Sequence, residues 1–386
     1  MRLLLFILIV PWYLFPGTAP KDSSKVKRTA GTEVVAPATS EPEKGTVATD
    51  DFVPDILDIP ETINVTLAMP LDSASTGNVD FYCGALVAAR DMGDNVEELN
   101  LRVFDSSVGS ISGQLMEESD VFIGPIGFND VGKALECCPD GKTLVSPLDP
   151  RCREFSADQR MVQVPASQEE QLRELARWAC ESMNPASDRL VVLMEDANDS
   201  TDIIVDELKR AGAVFSTATG YMSSEKFCEK ERRTIFITGS EKDYFIAGAV
   251  RQISVLAMRH LDVSLFCPSR ARSLENLNVE LVHSANVHLT TFYQVDYSRE
   301  EVRNFVITYR SLFHAEPNSF AFHGYDTMKY FTQICSKFGR QWYKKLPEYP
   351  MDGLQAGFRF RKTESGMENV SVKRVIYNRD YSITIQ

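Results

Sequence analysis

The sequence predicts an α/β protein of two doubly wound parallel-sheet lobes joined by a three-crossing hinge. Three observations predict it. From Ile59 onward, short runs rich in Val, Ile and Leu alternate with amphipathic segments. Those runs are near-continuous rather than alternating, as strands covered on both faces are. The alternation runs through twice before a helical pair and a strand-rich tail. The 386 residues, 44% of them apolar, are enough for a sizeable core.

In the first series, 63–69 reads as a strand and 79–92 as a helix with Phe81, Leu86 and Ala89 on one face. Strands at 99–104, 121–124 and 143–146 follow, separated by helices at 111–116 and 131–137. All of these strands are expected to be buried on both faces. The second series opens after 161–165 with a helix over 168–182, then strands at 189–194, 234–238 and 263–266, with helices at 201–211 and 244–259 between them. A strand at 287–293, helices at 300–313 and 319–338, and a tail pairing 357–361 with 370–377 complete the chain. Each strand–helix–strand unit predicts a right-handed crossover. The expected lobes are 59–162 with 288–343, and 163–287 with 344–386.

The N-terminus points outward. Arg2 precedes the apolar run from Leu3 to Val10, Pro11 breaks it, and Gly17, Thr18 and Ala19 are small. Residues 1–20 thus read as a secretory signal peptide, too short in its apolar run to span a bilayer. No Cys precedes Cys83, so a lipobox is missing and a periplasmic or otherwise exported protein, not a lipoprotein, is expected. Residues 21–58 lack large apolar side chains before Phe52 and read as a flexible arm.

Charge and motif content exclude several functions. Lys plus Arg number 41 against 54 Asp plus Glu, a net charge of −13 that argues against nucleic acid. The eight Cys show no metal-ligand spacing and read as free, buried small hydrophobes. The five His lack such spacing too, and His283 and His288 are expected at the surface. Glu117-Glu118 and Glu169-Glu170 read as helix surfaces or starts. No phosphate loop, dinucleotide fingerprint or nucleophile elbow occurs, so neither an enzyme nor a cofactor is expected. The aromatic stripe through Phe320, Phe322, Tyr325, Tyr330 and Phe331 reads as core, with Tyr325 and Asp326 approaching the hinge.

Particular motifs carry a resemblance from about Ile63 to Tyr377. They are Ala68-Met69-Pro70-Leu71, Phe81-Tyr82-Cys83-Gly84-Ala85-Leu86, Ile123-Gly124-Pro125, Val145-Ser146-Pro147-Leu148, Phe320 to Asp326, and Gly357-Phe358-Arg359-Phe360. In this order and spacing the chain resembles the type I periplasmic binding proteins of the leucine-isoleucine-valine-binding group. It looks closest to exported Bacteroidetes proteins in which such a domain follows peptidoglycan-binding lysin motifs, although the arm carries none. The resemblance implies a non-catalytic protein that closes on an amino-acid-, peptide- or cell-wall-fragment-like molecule. Its implied partner is a membrane transporter or another envelope protein. The alternative it implies is an envelope scaffold regulating peptidoglycan synthesis without a cleft ligand.

Ligands of open α/β sheets bind beyond the carboxyl ends of the strands, where helix N-termini offer free N–H groups. The candidates in the first lobe are therefore Asp72, Ser73, Asp105, Ser106, Ile126, Gly127, Phe128, Asn129, Leu148 and Asp149. In the second they are Asp196, Asn198, Ser240 and Glu241, with Tyr325 at the hinge. Where relatives that hold an α-carboxylate place hydroxyls, this chain has apolar groups and Asp149. Asp72, Asp105, Asp149 and Asp196 together predict a field that favours a cationic or neutral ligand. Limited proteolysis should cut within residues 20–55 and stop near Ile59; survival of the arm in the digest would contradict the tether reading.

Overall fold

The computed structural model describes residues 58–386 except 73–75, 94–97, 156–157, 159, 196–201, 276 and 364–365. The expected signal peptide, and the expected arm apart from Asp58, lie outside the described residues. The first series gives β1 (Ile63–Met69), α1 (Thr76–Met92), β2 (Leu99–Asp105), α2 (Gly113–Glu117), β3 (Val121–Ile123), α3 (Phe128–Glu136), β4 (Leu144–Ser146) and β5 (Met161–Gln163). The second gives α4 (Gln168–Ser182), β6 (Arg189–Met194), α5 (Asp202–Arg210), β7 (Ser216–Thr219), β8 (Thr234–Ile237), α6 (Asp243–Met258), β9 (Val263–Pro268), α7 (Val279–Ser284) and β10 (Val287–Thr291). The chain ends with α8 (Glu300–Phe313), α9 (Ser319–Phe338), β11 (Met351–Asp352), β12 (Gly357–Phe358), β13 (Phe360–Thr363), β14 (Gly366–Asn369), β15 (Lys373–Tyr377) and β16 (Ile383–Ile385).

Two seven-stranded sheets result, ordered β13-β14-β5-β4-β3-β1-β2 and β16-β15-β10-β9-β8-β6-β7. In both, the five strands from the βα series are parallel, and the late strands extend one edge. Each sheet is covered on two sides. Phe81, Phe305, Phe322 and Tyr330 pack over one face of the first sheet and Met116, Val131 and Leu135 over the other. The second lies between a layer with Phe245, Ile253 and Val282 and one with Leu175, Trp178 and Leu208. Burial of both faces removes the need for alternation, which is why the strands read as continuous apolar runs.

Three crossings join the sheets, at 164–167, 292–299 and 370–372. The first two leave the carboxyl ends of β5 and β10. The third leaves the end of β14, which runs parallel to β5, and enters β15 opposite Thr291 at the end of β10. All three therefore tie one carboxyl edge to the other.

The structure departs from expectation at identifiable places. β2 is an edge strand with several exposed residues, not one buried on both faces. The tail does not form one hairpin: 360–363 pairs with 366–369 in the first sheet, while 373–377 pairs with β10 in the second. The lobe boundaries shift accordingly, with β10 in the second sheet and β13 and β14 in the first. His283 and His288 are buried rather than at the surface. His288 stacks on Phe266 at 4.3 Å between centroids, and His283 Nδ1 lies 2.6 Å from the Asn378 carbonyl. Glu170 is buried too, clamped by Arg177 at 2.7 Å and by Arg361 of β13 at 3.2 Å. The eight cysteines are free, four of them buried and four only partly so.

The tightest packing is the crossing of α1 and α9. A Cβ on Gly84 would lie 1.8 Å from the Ala321 carbonyl oxygen, and one on Gly324 would lie 1.9 Å from that of Phe81. Backbone meets backbone here, so no side chain can yield. Gly84→Ala should destabilise the protein by at least about 1–3 kcal/mol in urea unfolding; an unchanged midpoint would mean that the helices are not in this contact.

Candidate functional site

The candidate site is the pair of carboxyl edges brought together by the crossings. On the first sheet, Gly124 at φ 106° lets the chain turn against the Ala68 carbonyl, where a Cβ would sit 1.9 Å from the oxygen. The turn leads into α3, whose Phe128 stacks on Phe155 at 4.8 Å. Ile126 and Leu148 pack on the lobe's core, Gly127 precedes the helix, and Asn129 is exposed.

Two carboxylates of this edge hold loops of their own lobe. Asp149 accepts the Phe128 N–H at 3.1 Å and holds Arg151 through Nε at 3.0 Å and Nη2 at 2.7 Å. The Arg151 guanidinium keeps its carboxyl below the usual carboxylate range. Asp105 accepts from the Ser107 hydroxyl at 2.7 Å, the Ser107 N–H at 2.9 Å and the Leu71 N–H at 3.0 Å; these bonds, that of the hydroxyl foremost, lower its pKa. Ser106 donates its N–H to Met69 O, and Asp72 is exposed. Ser73, Asp196 and Asn198 lie outside the described residues. The expected four-aspartate field is thus not assembled among the described residues: two of its members are capped, and one of those is neutralised by an arginine. The cationic preference is weakened at Asp149, whose charge Arg151 offsets, while Asp105 stays ionised within its hydrogen bonds.

On the second sheet, Ser240 is buried and donates its hydroxyl to Glu195, a residue the sequence reading passed over one position before Asp196. Lys242 pairs with the same carboxylate, and Tyr244 donates to it at 3.2 Å. Burial opposes ionisation of Glu195, yet Lys242 and Ser240 outweigh it and its pKa falls. Glu241 keeps an exposed side chain, but the atoms crowded around its carboxyl push its pKa up. Arg272, from the turn after β9, lies over the Tyr293 ring at 4.6 Å and bonds Gln294 Oε1 at 2.6 Å and Thr291 Oγ1 at 3.1 Å. No sequence motif marks Arg272; only its position after a strand could have suggested it.

Between the edges sits a polar hub. His323 of α9 bonds the Pro147 carbonyl through Nε2 at 2.9 Å and meets Gln355 Nε2 through Nδ1 at 3.2 Å. A neutral ring with its proton on Nε2 satisfies both, and burial holds its pKa down at about 4. Asp326 accepts the N–H groups of Leu354, Gln355 and Ala356 at 2.6, 2.9 and 3.0 Å. Tyr325 does not approach this hub. Its hydroxyl donates to Asp91 at 3.0 Å at the far end of α1, so it belongs to the helical layer. Among the described residues no cluster of His, Cys, Asp and Glu could hold a metal, and no helix is long and apolar enough to cross a membrane.

No protein-family profile and no curated protein sequence matches the chain. Solved structures do. A Rhodospirillum rubrum protein assigned to a branched-chain amino acid ABC transporter matches with TM-score 0.63 at 13% identity, over 84% of this chain and 100% of that one. The fold is that of the type I periplasmic binding proteins. Full-length LpoA from Haemophilus influenzae matches with TM-score 0.56 at 13% identity, over 86% of this chain and 60% of that one. The C-domain of LpoA, described as a regulator of PBP1A, matches with TM-score 0.54 at 15% identity, over 84% and 99%.

The buried titratable groups of this fold set a pH dependence. His323 and His288 are both pulled down to about 4 by burial, so the unfolded chain binds more protons and stability is lost as pH falls from about 6.5 towards 4. Asp326 is pushed up to about 6 by burial against its three N–H bonds, and acts in the opposite sense between about 4 and 6. Two groups outweigh one. Urea unfolding at pH 5 should give roughly 2 kcal/mol less stability than at pH 7, and a rise in stability over that interval would reverse the assignment.

Proposed function

We propose that the chain is a non-catalytic, exported binding protein whose two lobes close on a small molecule. The observation that carries this reading is that all three crossings run from one carboxyl edge to the other, so both ligand-facing edges border a single gap. Support also comes from the fold it shares with a protein of an amino acid transporter. The ligand class is an amino acid, a short peptide or a cell-wall fragment. The residues proposed to meet it are those of the loops after β1, β3, β6 and β8, with Ser240 and Glu241 foremost. Asp149 and Asp105 are left to shape the loops. Delivery to a membrane transporter or an envelope receptor follows from export.

A second reading is favoured by one observation: two loop carboxylates of the first lobe, Asp149 and Asp105, are already satisfied within the lobe. An edge built this way needs no ligand, and the likeness to LpoA then points to an envelope scaffold that regulates peptidoglycan synthesis.

A melting-temperature screen with amino acids, short peptides and muropeptides separates the two. A ligand present at a hundred times its Kd adds about 2.7 kcal/mol and raises Tm by roughly 5 °C. Ser240→Ala should weaken that response. A flat response to the whole panel, together with recovery of a peptidoglycan synthase from envelope extract, would replace the first reading by the second.

A further inference from the structure

The hinge contains a polar cavity of about 540 Å³, bounded by residues of both lobes and of the crossings. It shares no residue with the loops proposed to meet a cleft ligand. Glu174 comes from α4, Asp296 and Arg299 from the second crossing, Asp352 and Arg359 from the first lobe, and Lys373 from the start of β15.

Its charges are unevenly matched. Arg359 grips Asp352 with two bonds of 2.9 and 3.1 Å. Glu174 is held by Arg374 at 2.6 Å and Arg177 at 3.2 Å. Asp296 accepts from the Ser298 hydroxyl at 2.6 Å and its N–H at 2.9 Å. The carboxylates are therefore engaged. Arg299 donates Nη1 to the Gly353 carbonyl at 2.8 Å and faces Glu301 only at 3.6 Å, so Nη2 stays open. Lys373, half-buried, makes no hydrogen bond or ion pair with the described residues; burial pulls its pKa down, and the nearby carboxylates of Asp352 and Asp326 offset this only in part. A half-buried ammonium without a partner is costly, and an anion arriving beside it relieves that cost. The lining carries three carboxylate and three cationic side chains, and of these six Lys373 is the one with no hydrogen bond or ion pair among the described residues, so an anion finds an unpaired partner there where a cation would find carboxylates already bonded.

We propose that the hinge cavity is a second binding site, which takes a small oxyanion, a carboxylate or a phosphate group, on Lys373 with Arg299 beside it. Because its walls belong to both lobes and to two crossings, an occupant there bears on the same hinge that a cleft ligand closes.

The test is calorimetric titration of the full chain with inorganic phosphate and with succinate at constant ionic strength, with tetramethylammonium as the cationic counterpart. At least one anion should bind saturably, and which of them does so tells phosphate from carboxylate chemistry. Lys373→Gln should weaken binding at least about tenfold, the effect of losing one charge-assisted hydrogen bond. Lys373→Arg should keep it within a few-fold. Lys142→Gln, which removes a cation from a separate 220 Å³ pocket, should leave it unchanged. If Lys373→Gln fails to fold, Arg299→Gln carries the same expectation with a smaller loss. Absence of saturable anion binding, equal binding by the Lys373→Gln or Arg299→Gln protein, or preference for tetramethylammonium would each overturn the proposal. Ser240→Ala should not affect it, so its fate is separable from that of the cleft reading.

Discussion

The carboxylate of Asp326 lies inside the protein, with three consecutive backbone N–H groups of residues 354–356 directed at it. The carboxylate can come this close to the loop because residue 353 is glycine; a Cβ there would stand 2.4 Å from the carboxylate carbon. The second crossing and α9 are both tied to this loop. Gln355 carries on to His323 and to the Ser319 carbonyl, while its own carbonyl accepts from Gln294 in the second crossing. Arg299 closes the set on the Gly353 carbonyl. Burial and hydrogen bonding pull the acid in opposite directions, and burial prevails without abolishing the charge at neutral pH.

The fold was legible because its dominant signal is simple. Strands covered on two sides have to be largely apolar, and β1, β6, β8 and β9 are, with Asn64, Thr66, Arg189, Thr234 and Ser264 as their polar residues. What stayed illegible were elements whose character depends on a neighbour. β2 ends up at an edge, a place that its polar Asn100 and Arg102 at alternate positions fit but that its apolar Leu99, Leu101, Val103 and Phe104 mask. The hairpin of β13 and β14 and the strand β15 lie within a few residues of each other and join different sheets, a choice made by packing around Asn369. That side chain bonds the Val164 and Gly357 carbonyls at 2.7 and 2.9 Å. The histidines were misjudged for a related reason: a neutral imidazole with a carbonyl partner and an aromatic neighbour is as buriable as a tyrosine, and spacing carries no trace of that.

For the candidate site, the rule that ligands lie beyond strand carboxyl ends pointed to the loops of the two carboxyl edges but could not assign charge. Asp149 looked like a bare acid; its neutralisation by Arg151 two positions on was visible in sequence only as proximity. Glu195 and Arg272 went unnamed because each acquires its role from residues on other strands. Tyr325 sat in the expected motif, yet a helical period turns it a full face away from Asp326, onto Asp91.

The interleaving of the chain also orders its assembly in time. The second sheet draws five of its seven strands from one uninterrupted stretch, 189–291, whereas α1 of the first lobe finds its helical cover in α8 and α9, more than two hundred residues downstream. During synthesis the apolar face of α1, with Phe81, Val87 and Ala88, has to wait uncovered while the central lobe is completed. Neither half of the molecule corresponds to a single contiguous gene segment. A truncation after residue 299 would release a chain with a largely finished second lobe and an unroofed first one, sticky in the way nascent intermediates are.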